Sequence, residues 1–188
     1  MHLLALRRLA LPLAAFGLVA AGCGGDPPAP PPFTPSTAAS SPTPTGPVEP
    51  VLPEAAKQPT AEGAKAFAEF YWEQAVNYAQ ATGDTGPVRA AAASTCVPCD
   101  GGADAIEDIY GRDGRITGGN PEVLSSRAAR IVDAVPRFRV TLSLKNTAQR
   151  IDFPGTKRDS TLGGATQTVD MRLDFLKGSW VVAGWRVL

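Results

Sequence analysis

A proline-rich stretch between residues 24 and 58 most limits what this chain can fold into. Pro, Thr, Ser and Ala dominate its 35 residues, and its apolar residues follow neither a helical nor a strand period. Such a segment cannot bury enough apolar surface to offset the conformational entropy that ordering would cost. We therefore expect residues 23–58 to form a disordered tether and residues 59–188 to form one domain of ordinary size.

Residues 1–22 have the features of a secretory signal peptide. Arg7 and Arg8 precede an apolar run from Leu9 to Ala21. The run is shorter than the roughly 20 residues that a helix needs to cross a bilayer. We therefore expect the segment to be cleaved rather than retained as a membrane-spanning anchor.

The expected cleavage point, residues 19–23 (VAAGC), resembles the bacterial lipobox. This resemblance implies that Cys23 is diacylated on its sulfur and becomes the new N-terminus. Two acyl chains are sufficient for stable anchoring. We expect the protein to lie on the outer face of the bacterial cytoplasmic membrane, held by a diacylglyceryl anchor. Ordinary signal cleavage nearby, with Cys23 a free thiol, is the alternative.

The charges of the mature chain are balanced overall but unevenly distributed. Loss of Arg7 and Arg8 leaves 16 basic against 18 acidic side chains, so no general affinity for nucleic acid is expected. Residues 57–113 hold 4 basic and 9 acidic side chains, whereas residues 114–188 hold 12 and 6. The two halves either pack together and partly neutralise, or the basic half meets anionic lipid or wall polymer.

The periodicity of the apolar residues predicts helices first and antiparallel strands afterwards. Helical spacing covers Thr60–Thr82, with shorter helices at Val88–Ala93 and Pro98–Tyr110. Apolar and polar residues then alternate over Phe138–Leu144 and Val169–Phe175, and a turn at Lys177 and Gly178 leads into an apolar C-terminal strand. This order predicts an α+β fold ending in a hairpin.

The aromatic first helix and the terminal segment GSWVVAGWRV resemble the nuclear-transport-factor-2-like cone fold, in which a bent antiparallel sheet wraps helices around a pocket. A family of uncharacterised actinobacterial lipoproteins without an assigned activity is similar as well, over residues 66–72, 77–79, 81–84 and 94–99. The resemblance implies a cone-like domain on a membrane-anchored protein. Within it, four aromatic residues are candidates for either core or pocket lining: Tyr71, Tyr78, Trp180 and Trp185.

Cys96 and Cys99 form a C-x-x-C motif in a chain that is expected to mature outside the cytosol. A structural disulfide is the favoured interpretation, and a redox pair is the alternative. No metal site is predicted, because the only histidine, His2, leaves with the signal peptide and no second cysteine pair exists.

Loss of His2 also excludes Ser-His and Cys-His nucleophiles. Cone-fold enzymes such as ketosteroid isomerases use carboxylates and tyrosines, and Asp152, Asp170 and Asp174 are available by residue type. None falls in a motif that assigns a role, so no catalytic residue and no cofactor is predicted. An enzyme that uses these groups in a cone pocket remains the rival to a binding protein.

Strand alternation places several cations on the face opposite the apolar side chains. They are Arg137, Arg139, Lys145 and Arg172, and either Asp170 and Asp174 interleave with them or they face an anionic surface. The sequence thus predicts a non-catalytic lipoprotein whose domain binds a ligand, an envelope protein or an anionic polymer.

Overall fold

The computed structural model describes residues 46–131, 134–155 and 159–188. The predictions for the signal peptide, for Cys23 and for the tether up to residue 45 lie outside these ranges. Within them, no helix combines the length and the hydropathy needed to span a membrane.

The first helix runs without a break from Ala61 to Thr82 but changes its winding in the middle. An α-helix, α1 (Ala61–Phe70), leads into a π-helical segment (Tyr71–Val76) and then into α2 (Asn77–Thr82). The Thr60 hydroxyl caps the start by accepting a hydrogen bond from the Gly63 amide at 3.1 Å. Gly83, with φ at 81°, ends the helix in the left-handed conformation, as the sequence predicts.

Two further helices follow. The short α3 (Gly86–Ala90) has Pro87 in its first turn, and α4 (Val97–Gly111) begins at the disulfide between Cys96 and Cys99. The predicted second helix extended to Ala93, but the chain leaves it at Ala91 because Ala91 and Ala93 exchange backbone hydrogen bonds with Val182.

The α+β class is confirmed, with the described strands arranged in two antiparallel sheets. In chain order the strands are β1 (Arg115–Gly118), β2 (Pro121–Ile131), β3 (Arg137–Asn146), β4 (Gln149–Asp152), β5 (Ser160–Leu162), β6 (Ala165–Leu176) and β7 (Ser179–Val187). The large sheet has the order β2-β3-β6-β7 and the small sheet the order β1-β4-β5. Gly118 and Gly119, both with positive φ, make the turn that takes the chain from the small sheet to the large one.

The core lies between the first helix and the large sheet. The inward side chains of β3, from Phe138 to Leu144, are at most 5% exposed, and those of β6 and β7 pack beside them. Burial of each such apolar side chain contributes about 1.5–3 kcal/mol relative to exposure. This layer fixes the orientation of β7, which borders the sites described below.

The folded structure begins ahead of the expected boundary at residue 59. Residues Glu54–Lys57 form a 3₁₀ turn that packs against α1, and Ala56 is fully buried in that contact. Gly63 allows this approach, since a Cβ at its position would lie 2.0 Å from the Gln58 carbonyl oxygen. Residues just before 59 therefore belong to the packed core.

Candidate functional site

A pocket of about 300 Å³ lies between the first helix, α4, the small sheet and β7. Its walls are mostly apolar, with Val76 from the π-helical segment, Ala103 and Ile106 from α4, and Ile116 and Ile151 from the small sheet. This volume is at the lower end of the range for small-molecule sites, roughly 300–1,000 Å³. We call it the apolar pocket.

Two polar atoms on residues of the pocket lining are buried without a hydrogen-bond partner. They are the indole nitrogen of Trp72 and the amide oxygen of Gln80. The Trp72 indole ring meets the Trp185 ring edge to face, with the two centroids 5.2 Å apart. A buried polar group without a partner costs about 1–3 kcal/mol. The wall of the pocket therefore contains one donor and one acceptor that the protein itself leaves unsatisfied, both buried beneath the surface of the pocket.

Tyr71 adds a phenol to the same pocket. Its side chain is 2% exposed, and its ring packs edge to face on Trp72 with centroids 5.3 Å apart. Burial raises the pKa of Tyr71 to about 12, and a side-chain hydrogen bond with Trp185 opposes this rise more weakly. The phenol is therefore protonated at neutral pH and cannot act as a general base.

The π-helical segment accounts for the presence of two consecutive aromatic residues in one pocket. Tyr71 and Trp72 open this segment, and both are buried in the lining. Segments of π-helix are rare and often occur at functional sites. Trp72 and Gln80 were not predicted as pocket residues, since no pattern in the sequence indicates the change of winding.

Of the four aromatic candidates, Tyr71 and Trp185 line the apolar pocket, whereas the other two lie elsewhere. Trp180 is a core residue between Phe138 and Phe175, with ring centroids at 5.7 and 4.9 Å. Tyr78 borders a separate groove that residues 47–51 help to form. These two side chains contribute nothing to the apolar pocket.

The three aspartates considered for catalysis also lie outside the apolar pocket. Asp152 pairs with Arg150, and Asp174 accepts hydrogen bonds from Arg137 at 2.6 and 3.3 Å. Asp170 lies on the outward face of β6, beside Arg139 and Arg186. Among the described residues, no carboxylate lines the apolar pocket.

Cys96 and Cys99 form a disulfide at the start of α4, and both residues are at most 2% exposed. A buried disulfide is poorly placed for thiol exchange, which requires access to a sulfur atom. Within the described ranges, no three His, Cys, Asp or Glu side chains are arranged to hold a metal ion.

The predicted basic face is interleaved with carboxylates. Arg137 pairs with Asp174, and Lys145 lies 3.5 Å from Glu122 on β2. Arg139 and Arg172 face each other directly across β3 and β6. Arg186 on β7, which was not predicted, joins them on this face.

Comparison with known proteins gives a fold neighbour and a family. No curated protein sequence matches this chain. The crystal structure of the intermembrane space region of the chloroplast protein ARC6 has a TM-score of 0.51 and 14% identity, covering 69% of this chain and 96% of that one. That likeness concerns the fold alone. A family model matches residues 32–186, and the chain therefore belongs to the family of unknown function DUF6318.

Proposed function

We propose that this protein is a lipid-anchored, non-catalytic binding protein on the outer face of a bacterial cytoplasmic membrane. Its domain, of the nuclear-transport-factor-2-like cone type, holds a small, mainly apolar ligand that bears polar atoms. The proposed location depends on the signal peptide features of residues 1–22 and on the lipobox-like residues before Cys23. The helices and antiparallel strands around a pocket support the cone assignment.

The observation that carries the proposed binding function is the apolar pocket, together with the unpartnered Trp72 and Gln80 atoms buried in its wall. Once its side chain turns toward the pocket, the Trp72 indole N–H suits an acceptor such as a carbonyl oxygen, and the Gln80 oxygen suits a hydroxyl or amide donor. A ligand with such groups satisfies atoms whose isolation otherwise destabilises the fold. Apolar walls with a few convergent polar groups are typical of small-molecule sites.

A binding role accounts for the lining better than an enzymatic one. Acid-base catalysis needs a group whose pKa lies near the working pH. Tyr71, with its pKa raised to about 12, does not provide one, and no carboxylate of the described residues lines the pocket. The buried Cys96–Cys99 disulfide likewise does not support a redox role.

Two adjacent glycines of α4 provide a matched test. Gly102 lines the apolar pocket and Gly101 does not, and a Cβ at either position meets no atom within 4 Å. Gly102→Leu should fill part of the pocket, whereas Gly101→Leu should place the same side chain in solvent. Both changes add the same helix propensity, about 1 kcal/mol.

The measurement is a fluorescence titration of the protein with N-phenyl-1-naphthylamine, an uncharged apolar probe that carries one N–H donor. We expect the wild type and Gly101→Leu to bind the probe with equal affinity, and Gly102→Leu to bind at least about tenfold more weakly, since its side chain occupies probe volume. Equal affinity of all three proteins, or no binding by the wild type, would contradict the proposal.

A further inference from the structure

A second concave site lies on the solvent-facing side of the large sheet. It has a volume of about 270 Å³ and is lined by Arg139, Asp170, Arg172, Gly184, Trp185 and Arg186. We call it the arginine cleft. It is chemically unlike the apolar pocket, although Trp185 borders both sites.

Strand register brings the three arginines together. Arg139 on β3 is directly opposite Arg172 on β6, and Arg186 on β7 is directly opposite Asp170 on β6. Residues two apart on a strand share a face, so Asp170 and Arg172 point to the same side. Like charges directly opposite each other destabilise a sheet unless a counter-charge intervenes.

Asp170 provides only part of that counter-charge. Its side chain is 12% exposed, with one oxygen 3.3 Å from Arg186 Nη2 and the other 3.4 Å from Arg139 Nε. Arg172 donates a hydrogen bond from Nη2 to the Ala183 carbonyl oxygen at 3.3 Å and forms no ion pair with the described residues. Three guanidinium groups therefore surround one carboxylate, which leaves a net charge of about +2 in the cleft.

We propose that the arginine cleft binds a phosphate group. Guanidinium groups present planar pairs of N–H donors that match phosphate oxygens, and three of them approach from three adjacent strands. A bound phosphate would offset the repulsion between Arg139 and Arg172 that Asp170 leaves uncompensated. Gly184 leaves the space above Arg172 open, since a Cβ there would meet no atom within 4 Å.

The phosphate belongs either to a soluble phosphate compound or to an anionic phospholipid headgroup, and two probes distinguish these sources. Pyrophosphate is titrated by calorimetry, and vesicles of phosphatidylcholine with or without phosphatidylglycerol are tested by co-sedimentation. Both assays use the full mature chain with Cys23→Ser, so that an acyl anchor does not itself bind the vesicles. Low ionic strength is needed, because salt screens exposed charges.

Four variants test the assignment. Arg172→Gln removes a donor, and Gly184→Glu places a competing carboxylate in the open space, so each should weaken binding by about fivefold or more. Asp170→Asn removes the internal counter-charge and should strengthen binding by a similar factor. Arg150→Gln is the control, since Arg150 is as exposed as Arg139, at 60%, but lies on the small sheet.

Binding of either probe, with the variant effects given above, supports phosphate binding in the arginine cleft. The probe that binds identifies the source of the phosphate. The proposal is overturned if neither probe binds, or if Arg150→Gln weakens binding as much as Arg172→Gln does. If Asp170→Asn disturbs folding, Gly184→Glu still tests whether the cleft binds phosphate, because residue 184 has space for a side chain. Gly102→Leu should leave phosphate binding unchanged, which keeps this result independent of the apolar pocket.

Discussion

The indole nitrogen of Trp180 donates a hydrogen bond of 2.9 Å to the carbonyl oxygen of Gln58, which lies 122 positions earlier in the chain. Trp180 is 2% exposed, so the bond is shielded from solvent. It joins the C-terminal hairpin to the segment that precedes the first helix. That segment therefore contributes to the stability of the domain.

A chain that begins at residue 59 should therefore be less stable than one that begins at residue 46. The shorter chain leaves the Trp180 indole without its acceptor, which costs about 1–3 kcal/mol, and it loses the buried contact of Ala56. Urea denaturation followed by tryptophan fluorescence gives both free energies of unfolding. Equal values would show that residues 46–58 contribute no stability.

Replacing Gln80 should stabilise the unliganded protein. Gln80→Leu removes a buried oxygen that has no partner, so the unliganded protein should gain about 1 kcal/mol. Gln74→Leu is the control, since Gln74 is exposed on the same helix and should change stability by less than about 0.5 kcal/mol. Thermal unfolding of the two variants beside the wild type measures this, and a loss of stability in Gln80→Leu would contradict it.

The raised pKa of Tyr71 predicts a loss of stability at alkaline pH. The folded protein holds this proton up to about pH 12, whereas the unfolded chain releases it near pH 10. The contribution of Tyr71 is therefore complete below pH 10 and is lost as the pH rises to 12, amounting to about 2–3 kcal/mol. Free energies of unfolding across this range should fall more steeply for the wild type than for Tyr71→Phe. Parallel slopes would mean that the phenol titrates normally.

Cys23→Ser should release the protein from membranes, since the apolar run before it is too short to remain as an anchor. Gly25→Ser, two residues later, is the control and should remain membrane-bound. Immunoblots of membrane and soluble fractions give the distribution. If the Cys23 variant stays with the membranes, the anchor is elsewhere in the chain.

The sequence predicted the strands in which apolar and polar residues alternate throughout. It missed the strands in which this alternation is weak. On β3 every inward residue from Phe138 to Leu144 is large and apolar. The β2 residues that pair with them include Arg130 and Ser126, so hydropathy gives no strand signal there. The strands of the small sheet, at three or four residues, are too short for any period to be recognised.

The two sites could be predicted only in part for a similar reason. Tyr71 and Trp185 stand out as aromatic residues within predicted elements. The Gln80 oxygen lacks a hydrogen-bond partner because of the groups that pack around it. Contacts between distant segments of the chain determine which groups those are. Arg186 joins Arg139 only through the pairing of β3, β6 and β7, which one strand pattern alone does not reveal.

The π-helical segment at Tyr71–Val76 gives the first helix one place that can lose a single codon without a change of register. Before it, α1 packs on β2 and β3, and after it, α2 packs on β1 and α4. Deleting one residue within the segment would let it close as continuous α-helix with α1 and α2 still in register, whereas deleting one residue of α2 before Gln80 would turn the rest of α2 by about 100°. Gln80 would then leave the apolar pocket, even though every other residue of the domain was retained.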